Sequence, residues 1–262
     1  MDKISTILVP FDFSEISVQA LKYAVGFIGM DRDIKIVLAH IAFDGTKEPP
    51  EADFKNIKES YVPKFRGSIE WFKGVGSLTG SILQVQSEQA IDLVIMGTSG
   101  AHDNKEIVIS NTAKLALEID NCPVLVIPKD FEEFSIKKIA LVLGKDRIDD
   151  KSTLQTLLRI ASRFNAKVDV LTIQNEDGIY GYSKTDESNE NLLEYYLENF
   201  YSHHAFIEDP DILHGIVDYA ERNTIDMVAI LPKNHAHSSA PSEGLLTKEL
   251  TMRSTVPTLV ID

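Results

Sequence analysis

The two halves of this chain repeat one another at a constant offset, and that repeat constrains its fold more than any other feature. Ile91–Pro128 reads IDLVIMGTSGAHDNKEIVISNTAKLALEIDNCPVLVIP, and Ile225–Ile261 opens IDMVAILP and closes LTKELTMRSTVPTLVI. Asp92 falls on Asp226, Lys114 on Lys248 and Pro123 on Pro257, each 134 residues further on. Carried back to the start, the offset sets Ile7-Leu8-Val9 on Leu141-Val142-Leu143 and Asp12 on Asp146. Separated segments sharing one offset mark a duplicated domain. A chain of 262 residues, 44% of them apolar, is long enough for each copy to bury its own core. The expected domains are 1–131 and 132–262, joined by a short acidic linker around Phe131–Phe134. A linker that short keeps the domains close.

Within the first copy, Leu93–Met96 is an apolar run of the right length for a buried strand. Gly97-Thr98-Ser99-Gly100 then breaks it with two glycines three apart, suiting a backbone loop. Ala113, Leu115, Ala116 and Ile119 keep helical spacing, Asn121 ends the helix, and Cys122–Ile127 reads as a second buried strand. Strand, loop, helix and parallel strand make a right-handed crossover unit, whose ligands gather at the carboxyl ends of the strands. The remaining pattern agrees. Strands are expected at Ile4–Val9, Ile34–Ile41 and Ile69–Lys73, and helices after Ser14, over Phe54–Phe65 and over Ile82–Ala90. In the second copy, strands are expected at Ile136–Leu143 and Val168–Ile173, and helices through Leu154–Phe164 and Asn191–Phe200 and from a cap at Asp209. Asn175–Asn189 is polar enough to be expected disordered. The fold class is α/β, with two tandem doubly wound, Rossmann-like parallel-sheet domains.

DLVIMGTSG, the later Ser110-Asn111-Thr112 and the terminal NCPVLVIP resemble the signature half of the universal stress proteins. That signature is Gly-x-x-Gly, about nine residues, then Gly-Ser/Thr. ILVPFDFSE at the start resembles the family's first strand and following turn. The resemblance spans the chain as two tandem copies of an adenine nucleotide alpha hydrolase-like fold. The second copy is degenerate, with Leu231 and Asn234 where the first has Gly97 and Gly100. It implies that residues matching Asp12, Ile41 and Met96 lie around adenosine and that the glycine loop and the Ser110 region meet the phosphates. The implied site is Pro10, Asp12, Ile41, Met96, Gly97, Gly100, Ser110, Asn111 and Thr112, and the implied ligand is ATP or AMP. The chain departs from the pattern at Ile109: with Ser110 aligned, the loop is one residue short and isoleucine stands where the second glycine belongs. A side chain there blocks close backbone approach, which bears on the phosphates more than on adenosine.

From the residues alone, Gly97 and Gly100 either admit a phosphate or ribose to the backbone or form a plain turn, and Asp12 either faces a ligand or caps a helix. Gly74–Gly80 imitates a dinucleotide loop, but Asp92 starts its strand instead of ending one, so a turn is the better reading. His203-His204 and the His235/His237 pair lack converging carboxylates or cysteines at metal-ligand spacing. The single cysteine, Cys122, sits in an apolar strand as a small buried hydrophobe. A net charge of −14 without a basic stripe argues against nucleic acid and anionic membrane as partners. Met1 leads directly into a strand, so a cytoplasmic protein is expected. Apolar final strands at Cys122–Ile127 and Thr258–Ile261 are expected to pair or pack as an intramolecular pseudo-dimer, with a homodimer left open. Three functions follow. The first is a regulatory protein binding one adenine nucleotide in the N-terminal domain, and the second a nucleotide-free interaction scaffold. The third, a weak ATP hydrolase, has only His102 and Asp103 to activate water, so the expectation is no enzyme.

Overall fold

The computed structural model describes residues 3–42, 51–61, 64–98, 119, 122–131, 133–144, 147–148, 153–174, 184–232 and 245–261. It forms two compact units, Met1–Phe134 and Ser135–Asp262. The first contains β1 (Thr6–Pro10), α1 (Glu15–Ile28), β2 (Lys35–Ala42), α2 (Glu51–Tyr61), β3 (Ser68–Val75), α3 (Leu78–Glu88), β4 (Leu93–Gly97) and β5 (Val124–Ile127). Its strands lie in the order β3-β2-β1-β4-β5, every neighbouring pair parallel. The second contains β6 (Lys138–Val142), α4 (Thr153–Phe164), β7 (Lys167–Gln174), α5 (Lys184–Leu197), a 3-10 turn (Glu198–Phe200) and β8 (Tyr201–Glu208). It continues through α6 (Ile212–Arg222), β9 (Met227–Ile230), α7 (Leu245–Arg253) and β10 (Thr258–Val260). Its order, β10-β9-β6-β7-β8, is the same arrangement, again all parallel.

Covered sheets explain the apolar runs. Ile7, Leu8, Val9, Leu93, Val94, Ile95 and Leu125 are fully buried, as are Ile139, Leu141, Met227 and Leu259 in the second unit. Each such side chain contributes about 1.5–3 kcal/mol by leaving water. The duplication extends to a polar clamp. Asp92 Oδ2 accepts from the Ser5 N–H at 2.8 Å and the Thr6 N–H at 2.9 Å, tying the start of β4 to the start of β1. Asp226 Oδ2 does the same for the Lys137 N–H at 2.7 Å and the Lys138 N–H at 2.9 Å. Asp92 is therefore a strand clamp.

Several boundaries differ from expectation. Helix α5 begins at Lys184, inside the stretch expected to be disordered. Leu193 and Leu197 bury one face of it, and the buried Asn189 Oδ1 accepts from the Ile148 N–H at 3.0 Å. Tertiary docking thus overrides a polar composition. Strand β8 was not expected, because an edge strand with mixed exposure shows no clean alternation. The cap of α6 is Asp211, whose carboxylate accepts from the His214 N–H at 3.1 Å, and Asp209 instead accepts from the Asp211 N–H at 2.9 Å. Helix α3 starts at Leu78, four residues before the expected Ile82. Gly76 turns the chain at φ 106°, and the Ser77 hydroxyl caps the helix by accepting from the Gly80 N–H at 3.1 Å. The helix expected through Ala113–Leu117 lies outside the described residues, although Ile119 is buried.

Candidate functional site

The strand order of the first unit reverses between β1 and β4, and doubly wound sheets bind their ligands at such a reversal, beyond the strand carboxyl ends. A cavity of about 190 Å³ lies there. Its walls come from the end of β1 (Pro10, Phe11, Asp12), the start of α1 (Ser14, Ile16, Ser17), the end of β2 (Ala39, Ile41), Leu78 of α3, and Met96 and Gly97 of β4. Pro10, Asp12, Ile41, Met96 and Gly97 are thus brought together around one space. Gly100, Ser110, Asn111 and Thr112 lie outside the described residues, as do Ile109, His102 and Asp103.

The turn after β1 is built by short side-chain bonds. Asp12 Oδ1 accepts from the Ser14 N–H at 3.0 Å and from the Ser14 hydroxyl at 2.5 Å, and Ser14 Oγ accepts from the Ser17 N–H at 3.2 Å as the cap of α1. Ser17 Oγ in turn accepts from the Asp12 N–H at 3.4 Å. Burial pushes the Asp12 carboxyl up, but the bonds from Ser14 and Ser17 outweigh it and hold the group below its ordinary value. Asp12 is an ionised acceptor at neutral pH. Its Oδ1 braces the turn, while the residue lines the cavity, so the two sequence readings of Asp12 are compatible.

Gly97 lines the cavity and also has a packing role. A Cβ built there would lie 2.5 Å from Ile16 Cγ2 and 2.7 Å from the Ile16 carbonyl oxygen. The missing side chain admits the first turn of α1 to the end of β4, and the cavity wall beside Gly97 is therefore partly protein. Sequence reading missed Ile16, Ser17 and Leu78. Ser77-Leu78-Thr79-Gly80 carried a capping signal that would have placed Leu78 at a helix start facing the strand ends. In the second unit Leu231, at the position matching Gly97, is buried.

Backbone direction completes the site. Odd-numbered residues of β2 turn toward β1: the Lys35 N–H donates to Ser5 O at 2.8 Å and the Phe11 N–H donates to Ala39 O at 2.8 Å. Register pairing stops at Pro10 opposite Ala39. Ile41, the next odd residue, aims its N–H and C=O past the end of β1, on the side where Asp12 and Met96 stand. Behind it, on the α2 face, Phe13 (φ 66°) meets Phe11 at 5.0 Å, Phe54 at 5.1 Å, His40 at 6.1 Å and Trp71 at 6.2 Å between ring centroids. A bulky residue at positive φ is strained and is held by packing of this kind.

The remaining candidates have structural partners. His203 Nδ1 lies 3.3 Å from Asp169 Oδ1, and its Nε2 lies 3.2 Å from the Tyr219 hydroxyl. His204 Nε2 pairs with Thr172 Oγ1 at 3.0 Å. Among the described residues no three metal-ligating side chains converge, and His235 and His237 are not among them. Burial pushes the Cys122 thiol up to about 12, so it stays protonated and unreactive at neutral pH. Among the described residues no helix is long and apolar enough to cross a membrane.

Comparison with known proteins agrees with this architecture. No family model matches the chain. A universal stress protein of Methanocaldococcus jannaschii is 23% identical over 145 residues, covering 48% of this chain and 84% of that protein. The structure of a universal stress protein from Archaeoglobus fulgidus superposes with a TM-score of 0.68 at 15% identity, covering 99% of this chain and 97% of its own. A putative universal stress protein from Pseudomonas aeruginosa gives 0.66 at 18%, covering 98% and 93%. Fold, internal repeat and sequence relative point the same way: this chain shares the tandem-domain fold of the universal stress proteins it resembles, with Leu231 in its second copy where the first has Gly97.

Proposed function

We propose that the chain is a ligand-binding regulatory protein that holds one adenine nucleoside or nucleotide in its N-terminal domain, residues 1–131. The observation that carries this reading is the convergence of Asp12, Ile41, Met96 and Gly97 on one cavity at the strand ends. An ionised Asp12 is suited to accept the ribose hydroxyls, and the Ile41 N–H and C=O offer the donor and acceptor that an adenine edge needs. Pro10, Met96 and Leu78 supply apolar walls for the base.

Selectivity follows from the loop. Ile109 replaces an approach glycine and the net charge of −14 repels a tri-anion, so adenosine and AMP bind within about tenfold of ATP. Calorimetric titration of the full chain with adenosine, AMP and ATP tests both statements, and Ile109→Gly is expected to favour ATP. Wild type binding ATP about a hundredfold tighter than adenosine, or no gain in the glycine variant, would overturn the selectivity. Failure to bind any of the three would overturn the function. Two observations favour a nucleotide-free scaffold instead: the space at Gly97 is taken by Ile16, and the cavity, at about 190 Å³, is smaller than the roughly 300–1,000 Å³ of most ligand pockets. The same titration decides between the two.

A further inference from the structure

We infer that His40 is a positioning residue for the cavity: its imidazole draws the Phe11 carbonyl out of the β1–β2 ladder and so leaves the Ile41 amide and carbonyl open to a base edge. This rests on the adenine reading above.

In a parallel ladder continued by one more step, the Ile41 N–H would donate to the Phe11 carbonyl. The alternation of β2 is regular up to that point. Even residues serve β3, with Ile34 O accepting from the Ser68 N–H at 3.3 Å and Ala42 O from the Gly76 N–H at 3.1 Å. Odd residues serve β1, ending with Ala39. The Phe11 carbonyl instead meets His40 Nδ1 at 2.9 Å. A carbonyl only accepts, so Nδ1 carries the proton and donates. Among the described residues no backbone group then bonds Ile41 on the β1 side.

His40 acts from behind the site. It is absent from the cavity wall, which Ala39 and Ile41 supply from the opposite face of β2. Its ring stacks on Trp71 at 17° and 6.3 Å and meets Phe54 at 6.1 Å, so packing sets its orientation. The exposed pair on Ile41 is one donor and one acceptor. Adenine presents the complement on its pairing edge, an acceptor at N1 and a donor at N6. Inosine presents the reverse, a donor at N1 and an acceptor at O6, which leaves both backbone groups opposed.

The test is calorimetry on the full chain with adenosine and inosine, for wild type, His40→Asn, His40→Phe and His40→Gln. Asparagine places an N–H near the position of Nδ1, phenylalanine keeps the stacking without a donor, and glutamine reaches only the Nε2 position. Wild type and His40→Asn are expected to prefer adenosine by about tenfold or more. His40→Phe and His40→Gln are expected to lose about tenfold in adenosine affinity and most of the preference. Emission of Trp71, the single tryptophan, reports whether each variant keeps the aromatic packing, and the glutamine variant decides if the phenylalanine one does not fold. Undiminished adenosine preference in a folded variant without the donor, or no retention in His40→Asn, overturns the role of His40. Wild type that binds adenosine and inosine equally overturns the open Ile41 pair. Wild type that binds neither overturns the adenine reading itself, and this inference with it.

Discussion

At the scale of single residues, Gly97 and His204 make the clearest predictions. At Gly97 a methyl group would meet both a side chain and a backbone carbonyl of Ile16, and a carbonyl within a helix cannot step aside cheaply. Gly97→Ala is expected to lose about 1–3 kcal/mol of stability, the usual range for overpacking, visible as a lower midpoint in urea. An unchanged midpoint would mean that α1 does not approach β4 this closely. His204 is perturbed the other way from most paired groups. Burial lowers its pKa, while the charges of Glu190 and Asp186 oppose that and His203 adds to it. Above pH about 6.5 the imidazole is neutral in folded and unfolded chains alike. As pH falls below that, the unfolded chain takes the proton first, so stability declines until the lower folded pKa is passed. Its ring is stacked on Phe206 at 4.1 Å, so His204→Leu keeps an apolar filling while removing the titration. The variant is expected to lose less stability than wild type between pH 7 and about 5 by denaturant melts. His214 works in the opposite sense, since its bond to Asp209 raises its pKa and favours the folded state as pH falls. Comparison of wild type with variant cancels that contribution.

At the scale of elements, α2 shows what holds a helix with little apolar surface. Along Glu51–Tyr61 only Tyr61 is fully buried, and Phe54 and Ile57 are half-buried. Phe54 is the residue that joins the helix to the aromatic group of Phe13, His40 and Trp71. Phe54→Ala is expected to cost on the order of 2 kcal/mol and to open α2 to proteolysis before the rest of the first unit. Simultaneous loss of α2 and the core under limited digestion would show instead that the helix is part of the cooperative unit. The same aromatic set was invisible in the sequence. Phe13, His40, Phe54 and Trp71 belong to a turn, a strand, a helix and an edge strand, and no periodicity links them. Strand β8 escaped for a related reason: an edge strand buries too little for alternation to mark it. Helix α5 was hidden by polar residues that its docking onto the sheet tolerates.

At the scale of the whole molecule, duplication predicts asymmetry. Both units build the same five-strand order, but the first has Gly97 where the second buries Leu231. The full chain is therefore expected to bind one adenosine and not two, and Asp12→Ala, which also removes the brace on Ser14, is expected to remove that binding. Calorimetric stoichiometry near two, or residual binding in the variant, would contradict it. What the sequence by itself determined was the repeat, the α/β class, the buried strands and the strand-end position of Pro10, Asp12, Ile41, Met96 and Gly97, because these depend on local pattern and on an offset that can be counted. What only the tertiary structure decided was how those residues are used. Gly97 makes room for Ile16, the Asp12 carboxylate is braced by Ser14, and Ile41 turns its N–H and C=O toward the end of β1. Each of these depends on approach between segments far apart in the chain, and distance between such segments is set by packing, which no local pattern encodes.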